Sequence, residues 1–273
     1  TGNSSVCGKN GWWKQIVKNS GSIDTNKYSI LAFNIPGNGY DGIVYDNYSI
    51  FNTGDIAKIF FKALEKLGIK NLHAAIGGSI GAAICWELAA LYPNLIKHLI
   101  SVAGDWKATD WMIANSSLQS RILNNSSNPI QDARMHAMLC YRTPKSFRIR
   151  FNRSFNKEKN IFNVESWLFH HGQKLEDRFE LKAYKMMNHL LGSINIERYG
   201  ETFEEIILKI NSKIHIISID SDLFFPIDED QISVKIAESV GVEINHSIIN
   251  SEFGHDAFLM EFDQMKLILK EIF

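Results

Sequence analysis

The chain has 273 residues, 45% of them hydrophobic, with 29 basic and 30 acidic side chains and a net charge of −1. That size supports one sizeable core with room for an inserted subdomain, and it does not demand a separate second domain. The near-neutral balance supplies no strong field for nucleic acid or an anionic membrane surface, so neither is an expected partner.

Thr1 opens the chain without a methionine or an opening strand, which leaves room for a preceding segment, a targeting sequence included. Residues 28–33, YSILAF, read as a short buried strand, followed by the turn-rich NIPGNGYDG. Residues 53–67 read as a helix: Ile56, Ile59, Phe60, Ala63, Leu64 and Leu67 recur at helical spacing, Thr53 offers a cap and Gly68 a stop. Residues 74–91 are apolar enough to suggest a membrane helix, but Gly77, Gly78 and Gly81 break the first half and Glu87 charges the second. A buried strand over 72–76, a tight turn and a buried helix over 80–91 account for the stretch better. A third strand is predicted over 95–103. This β-α-β-α-β alternation implies a parallel sheet with helices on both faces.

From 105 to 208 the alternation stops and the chain turns helical, rich in Arg, Lys, His, Asn and aromatics. The predicted organisation is therefore an α/β core made of residues 1–104 and 209–273, with a helical cap inserted over 105–208. Lys145, Arg148, Arg150 and Arg153 cluster within it and read as a solvated helix face. Beyond it, strands are predicted over 213–219 and 243–249 and helices over 228–240 and 257–273.

Cys7, Cys85 and Cys140 are odd in number, and their spacing fits neither a zinc site nor a CxxC pair, which suggests a reduced, cytosolic chain. None of the nine histidines has a metal-ligand spacing, and the adjacent His170 and His171 would point about 100° apart on a helix. No metal is expected.

The segment Gly77-Gly78-Ser79-Ile80-Gly81 is a GxSxG. A serine on a sharp strand-to-helix turn needs small neighbours, and the turn lifts its hydroxyl out at the end of the sheet. The five letters alone also fit a glycine turn with a capping serine. The predicted strand before them and helix after them supply the context the motif requires, and the helix N-terminus favours a developing oxyanion. A serine nucleophile needs a base, and the base an orienting carboxylate, in the chain order Ser, Asp or Glu, His. His255 follows the last predicted strand, and Asp222, with Asp220 as runner-up, follows the one before; carboxyl ends of strands are where such sheets place ligands.

The sequence resembles the homoserine O-acyltransferase family, acetyltransferases of methionine biosynthesis on the α/β-hydrolase fold. Thr1-Gly2 resembles the end of the family's HALTG loop, GGSIG its GGSMG elbow, DARMHAMLCYRTPKSF its cap stretch with MLxYRS or MLxYRT, and ESWLFHHGQKLEDRFELKAY its ESYLRYQGxKFxxRFDANSY. SDLFFP is similar to SDxLFP and GHDAFLME to GHDAFL. The resemblance implies a triad of Ser79, Asp222 and His255, preferring Asp222 over Asp220. It implies Arg178 for the homoserine carboxylate, Tyr184 as its companion, and Asp256 for the ammonium group. The oxyanion donors would be the backbone N–H of Ile80 and of the residue before Thr1. Three departures stand out: PGNGYDG replaces a longer GGCxGSTGP segment linked to acyl-donor choice, Phe169 replaces an arginine, and RFELK replaces RFDAN.

The expected reaction is ping-pong transfer of an acetyl group from acetyl-CoA, a co-substrate and not a bound cofactor, to the hydroxyl of L-homoserine. Succinyl-CoA as donor and L-serine as acceptor remain compatible. A carboxylic-ester hydrolase on the same fold is the main rival, and a non-catalytic scaffold the remote one. The resemblance also implies a homodimer paired through the cap.

Overall fold

The structure is a computed structural model and describes residues 3–273. A two-residue parallel pair, β1 (Val17–Lys18) and β2 (Ile23–Asp24), precedes α1 (Thr53–Lys66). The main sheet is built from β3 (Leu72–Gly78), β4 (Ile96–Val102), β7 (Lys213–Ile219) and β8 (Ile244–Ile249), in the order β3-β4-β7-β8, all parallel. Crossovers run through α2 (Ile80–Leu91) between β3 and β4, and α9 (Ile227–Ser239) between β7 and β8. The chain ends on a 3-10 turn, Gly254–Leu259, and α10 (Phe262–Lys270).

Register lines up the carboxyl ends of the strands. Gly78 lies opposite Val102, Val102 opposite Ile217, and Ile219 opposite Ile249. Whatever follows β3, β7 and β8 therefore emerges along one edge. Alternation assigns the two faces: Leu99, Ile214 and Ile216 pack with Trp86 and Leu64 on one side, while Ile100, Val102, Ile217 and Ile219 pack with Trp13, Met265 and Leu269 on the other. Both faces are buried, which is why these strands read as nearly unbroken apolar runs.

Between β4 and β7 lie α3 (Asp110–Asn125), α4 (Pro129–Tyr141), α5 (Pro144–Phe151), the small antiparallel pair β5 (Phe155–Asn156) and β6 (Ile161–Phe162), α6 (Asn163–Glu176), α7 (Leu181–Gly192) and α8 (Phe203–Ile207). This insertion has a hydrogen-bonded neck. Ala108 N donates to the Ile194 carbonyl (2.8 Å) and Ile196 N to that of Trp106 (3.2 Å). Below the neck the chain returns to the sheet layer, where Phe203 stacks on Trp106 (ring centroids 4.2 Å apart) and Arg198 pairs with the buried Glu87.

Three local expectations need correction. Residues 28–33 form no strand: they make no ladder with β3, and Ile30 and Leu31 are 37% and 44% exposed. A largely apolar run alone does not make a strand without a hydrogen-bonding neighbour. Helix α1 is capped by Asn52, in a capping box with Asp55, and not by Thr53. The hydroxyl of Thr53 instead donates to Glu87 (2.6 Å) and accepts from Arg198 (3.0 Å). The last predicted helix is interrupted: the 3-10 turn carries His255, with Ala257 and Phe258 buried, before α10 starts. Residues 74–91 resolve into strand, turn and helix, and among the described residues no helix is long and apolar enough to cross a membrane. Lys145, Arg148, Arg150 and Arg153 are exposed on and just after α5.

Candidate active site

Ser79 sits between β3 and α2 with φ 56° and ψ −125°, a backbone conformation that side chains rarely adopt and that costs on the order of 1–3 kcal/mol. Sheet pairing holds it there, with Ser79 N donating to the Val102 carbonyl (2.9 Å). The neighbouring glycines have distinct tasks. A Cβ on Gly77 would collide with the Gly81 backbone, and one on Gly78 would lie 2.7 Å from the Phe258 ring. A Cβ on Gly81 would meet nothing, so space does not demand glycine at that position. Gly104, past the end of β4, belongs to the same device: a Cβ there would lie 2.7 Å from that of Ala82.

The turn presents the Ser79 hydroxyl to His255, with Oγ 3.0 Å from Nε2. On the other side of the ring, Nδ1 is 2.7 Å from Asp222 Oδ2. Asp222 is itself fixed, because its Oδ1 accepts from the backbone N–H of Phe224 (2.7 Å) and Phe225 (3.0 Å). Asp220 turns elsewhere and accepts from Ser251 N (2.9 Å), so the alternative acid does not reach the imidazole. The Nδ1 contact to a carboxylate implies that Nδ1 carries a proton and Nε2 is free to accept one from the serine.

Aromatic rings enclose His255. Phe224, Phe225, Phe258 and Tyr141 place their centroids 5.2, 5.6, 5.7 and 5.4 Å from that of the imidazole. Burial pulls the imidazole's pKa down, but the charge of Asp222 and its hydrogen bond, with a smaller push from Asp256, outweigh it and leave the pKa raised. Behind the triad, burial pushes the Asp105 carboxyl up to about 7 and that of Asp230 well above its ordinary range.

Ile80 opens α2, so its N–H lies in the unpaired first turn beside Ser79. The other expected oxyanion donor precedes Thr1, and it and the Thr1-Gly2 match lie outside the described residues. Arg178 lies in the turn between α6 and α7 and is exposed. Among the described residues it makes no ion pair, with Glu176, Asp177 or any other acid. Surrounding protein atoms, then the charge of Arg134, pull its pKa below the ordinary value. Tyr184 on α7 is buried, which raises its phenol's pKa, and its ring meets Phe179 edge-on at 6.0 Å.

Asp256 is not free. Its Oδ2 lies 3.1 Å from Arg142 Nη2, a pair that sequence reasoning missed. Arg142 also contacts Met260 Sδ (3.2 Å), and its Nε is buried without a partner. Tyr141 and Arg134, on α4, were likewise missed as neighbours of the site. Their seven-residue spacing in DARMHAMLCY is the one signal that would have put them on a common helix face. No cluster of three or more His, Cys, Asp or Glu among the described residues is placed to hold a metal.

A family model described as α/β hydrolase fold matches residues 2–135. Homoserine O-acetyltransferase of Chloroherpeton thalassium is 28% identical, over 94% of this chain and 74% of its own. That of Methanobrevibacter ruminantium is 26% identical over 96% of this chain, which spans only 60% of that longer relative. Among solved structures, homoserine O-acetyltransferase from Staphylococcus aureus superposes with a TM-score of 0.84 at 22% identity, covering 99% of this chain and 81% of that one. Esterase E22 gives 0.87 at 18% identity, covering 99% and 86%. The structural likenesses establish the α/β-hydrolase fold, and in sequence the chain is similar to homoserine O-acetyltransferases.

Proposed function

We propose that this relative of the homoserine O-acetyltransferases is an acyltransferase that moves an acetyl group from acetyl-CoA to the hydroxyl of L-homoserine. The observation that carries the reading is the unbroken relay from Ser79 Oγ through His255 to Asp222, with contacts of 3.0 and 2.7 Å. In the first half-reaction His255 takes the Ser79 proton, the serine oxygen attacks the thioester carbonyl, and the C–S bond breaks. The coenzyme A thiolate leaves with the proton from His255. In the second, His255 takes the proton of the homoserine hydroxyl, whose oxygen attacks the acyl-serine. Ser79 recovers its proton and O-acetyl-L-homoserine leaves. The Ile80 N–H, at the positive end of α2, supports the oxyanion in both halves.

Arg178 receives the acceptor's carboxylate in a bidentate contact, beside Tyr184. Asp256 receives the ammonium group, which must share it with Arg142. The helical insertion acts as the cap: Tyr141 of α4 lies on His255, and such cover limits hydrolysis of the acyl-enzyme. The same reading makes acetyl-CoA a co-substrate with no resident cofactor, places the enzyme in methionine biosynthesis in the cytoplasm, and expects a homodimer through the insertion.

The likeness to esterase E22 keeps ester hydrolysis as the second reading. An exposed guanidinium without a counter-ion suits a carboxylate-bearing acceptor better than an apolar ester. Free thiol, followed with acetyl-CoA or succinyl-CoA and with or without L-homoserine, separates the two. Homoserine-dependent release yielding O-acyl-homoserine is expected, with acetyl-CoA the better donor. Release that ignores homoserine would establish hydrolysis, and no release with either donor would leave only a scaffold.

A further inference from the structure

Arg134 carries a positive charge that no acid pairs among the described residues. It lies on α4 seven residues before Tyr141, on the same face of the helix. Its guanidinium carbon is 5.4 Å from the centroid of the Tyr141 ring, and that ring is in turn 5.4 Å from the imidazole of His255. One aromatic ring therefore separates Arg134 from the base. Stacking on a ring orients a guanidinium without neutralising it. Arg134 is half-buried, yet among the described residues it makes no hydrogen bond and no ion pair.

A second guanidinium without an ion-pair partner among the described residues, that of Arg178, belongs to the same insertion. Arg178 lies in the turn after α6, and after burial the positive charge of Arg134 is what pulls its pKa down. Asp256 does not compensate the two, because Arg142 already holds it at 3.1 Å. Two like charges brought together without an acid repel each other, and an anion lying between them relieves that repulsion. Two planar forks can bind one carboxylate from both sides.

We propose that Arg134 is a specificity-determining residue which, together with Arg178, holds the carboxylate of the amino-acid acceptor. The inference rests on the acyl-transfer reading above. The acceptor's hydroxyl must meet His255, and in a short amino acid the carboxylate lies only a few bonds from that hydroxyl, within the span from His255 to Arg134. The phosphates of coenzyme A are held far from the thioester by the pantetheine arm, and so fit this position poorly.

The test compares L-homoserine with 3-aminopropan-1-ol, which keeps the hydroxyl and the ammonium group but lacks the carboxylate. The quantity to follow is the ratio of kcat/KM for the two acceptors. Arg134→Gln is expected to lower that ratio roughly 10- to 100-fold, the worth of a charge-assisted hydrogen-bonded contact. The loss should be larger with homoserine than with 3-aminopropan-1-ol, which is what lowers the ratio. Arg134→Lys, which keeps the charge but not the fork, should recover part of the ratio and guards against a folding defect in the glutamine variant. An unchanged ratio, or an equal loss with both acceptors, would overturn the role of Arg134 while leaving acyl transfer standing. A wild-type protein whose thiol release ignores homoserine would instead overturn the transfer reading, and this assignment with it.

Discussion

The two walls of the site differ in how far their polar groups are satisfied. On the sheet wall, Ser79, His255 and Asp222 are joined in one chain of contacts, and Asp222 is further fixed by two backbone N–H groups. On the insertion wall, Arg134 and Arg178 have no counter-ion among the described residues, and Arg142 Nε is buried without a partner. In the acyl-transfer reading proposed above, the reacting groups are held in line by the protein itself, while the proposed recognising groups carry charge that an anionic acceptor would balance. Substitutions on the sheet wall should therefore strike the chemistry, and those on the insertion wall should strike choice of acceptor.

The largest expected effect is that of Ser79→Ala, which removes the nucleophile. Thiol release with acetyl-CoA should fall on the order of a million-fold, to background. Residual turnover within a hundredfold of wild type would mean that the sheet wall does not carry the reaction. Asp222→Asn should lower kcat by about ten thousand-fold, by favouring the wrong tautomer of His255. It should also move the acid limb of the pH profile. The base works when neutral, so the rate rises as pH rises through the His255 pKa. That pKa is raised mainly by Asp222, against burial. The wild-type limb should then lie above the ordinary imidazole value of about 6.5, and the limb of the variant should lie lower. An upward move in Asp222→Asn would contradict the assigned electrostatics.

Arg178→Ala tests the insertion wall. KM for homoserine should rise roughly 10- to 100-fold, while the burst of acyl-enzyme formation is spared. If both half-reactions fell equally, the division between the walls would fail. The smallest effect belongs to Arg148→Ala in the exposed cluster on α5. Stability should stay within about 0.5 kcal/mol by denaturant melt, with steady-state kinetics unchanged. A marked loss of homoserine use would extend the recognising wall further along the insertion than the present contacts show.

Legibility in the sequence followed the range of the forces involved. Helix α2 and strand β7 occupy the predicted spans, because continuous apolar runs bounded by turn-forming residues, Gly78 and Pro93 around α2 and Ser212 and Asp220 around β7, are local signals. The elbow was legible for the same reason, since Gly77 and Ser79 are neighbours in the chain. Residues 28–33 were misread because strand formation needs a partner that composition does not reveal. The last helix was misread because the 3-10 turn that aims His255 at Ser79 still has an apolar, helix-compatible pattern.

The sequence by itself determined the parallel core, the strand–turn–helix around Ser79, and the order in which serine, acid and histidine reach the carboxyl edge. Each of these follows from short-range sterics and hydrophobic periodicity. Only the tertiary structure decided that Asp220 turns away to Ser251, that Asp256 is paired with Arg142, and that Arg134 reaches within one ring of His255. Those are contacts between residues from separate elements, and their partners are fixed by how those elements pack together, which neither spacing nor composition encodes.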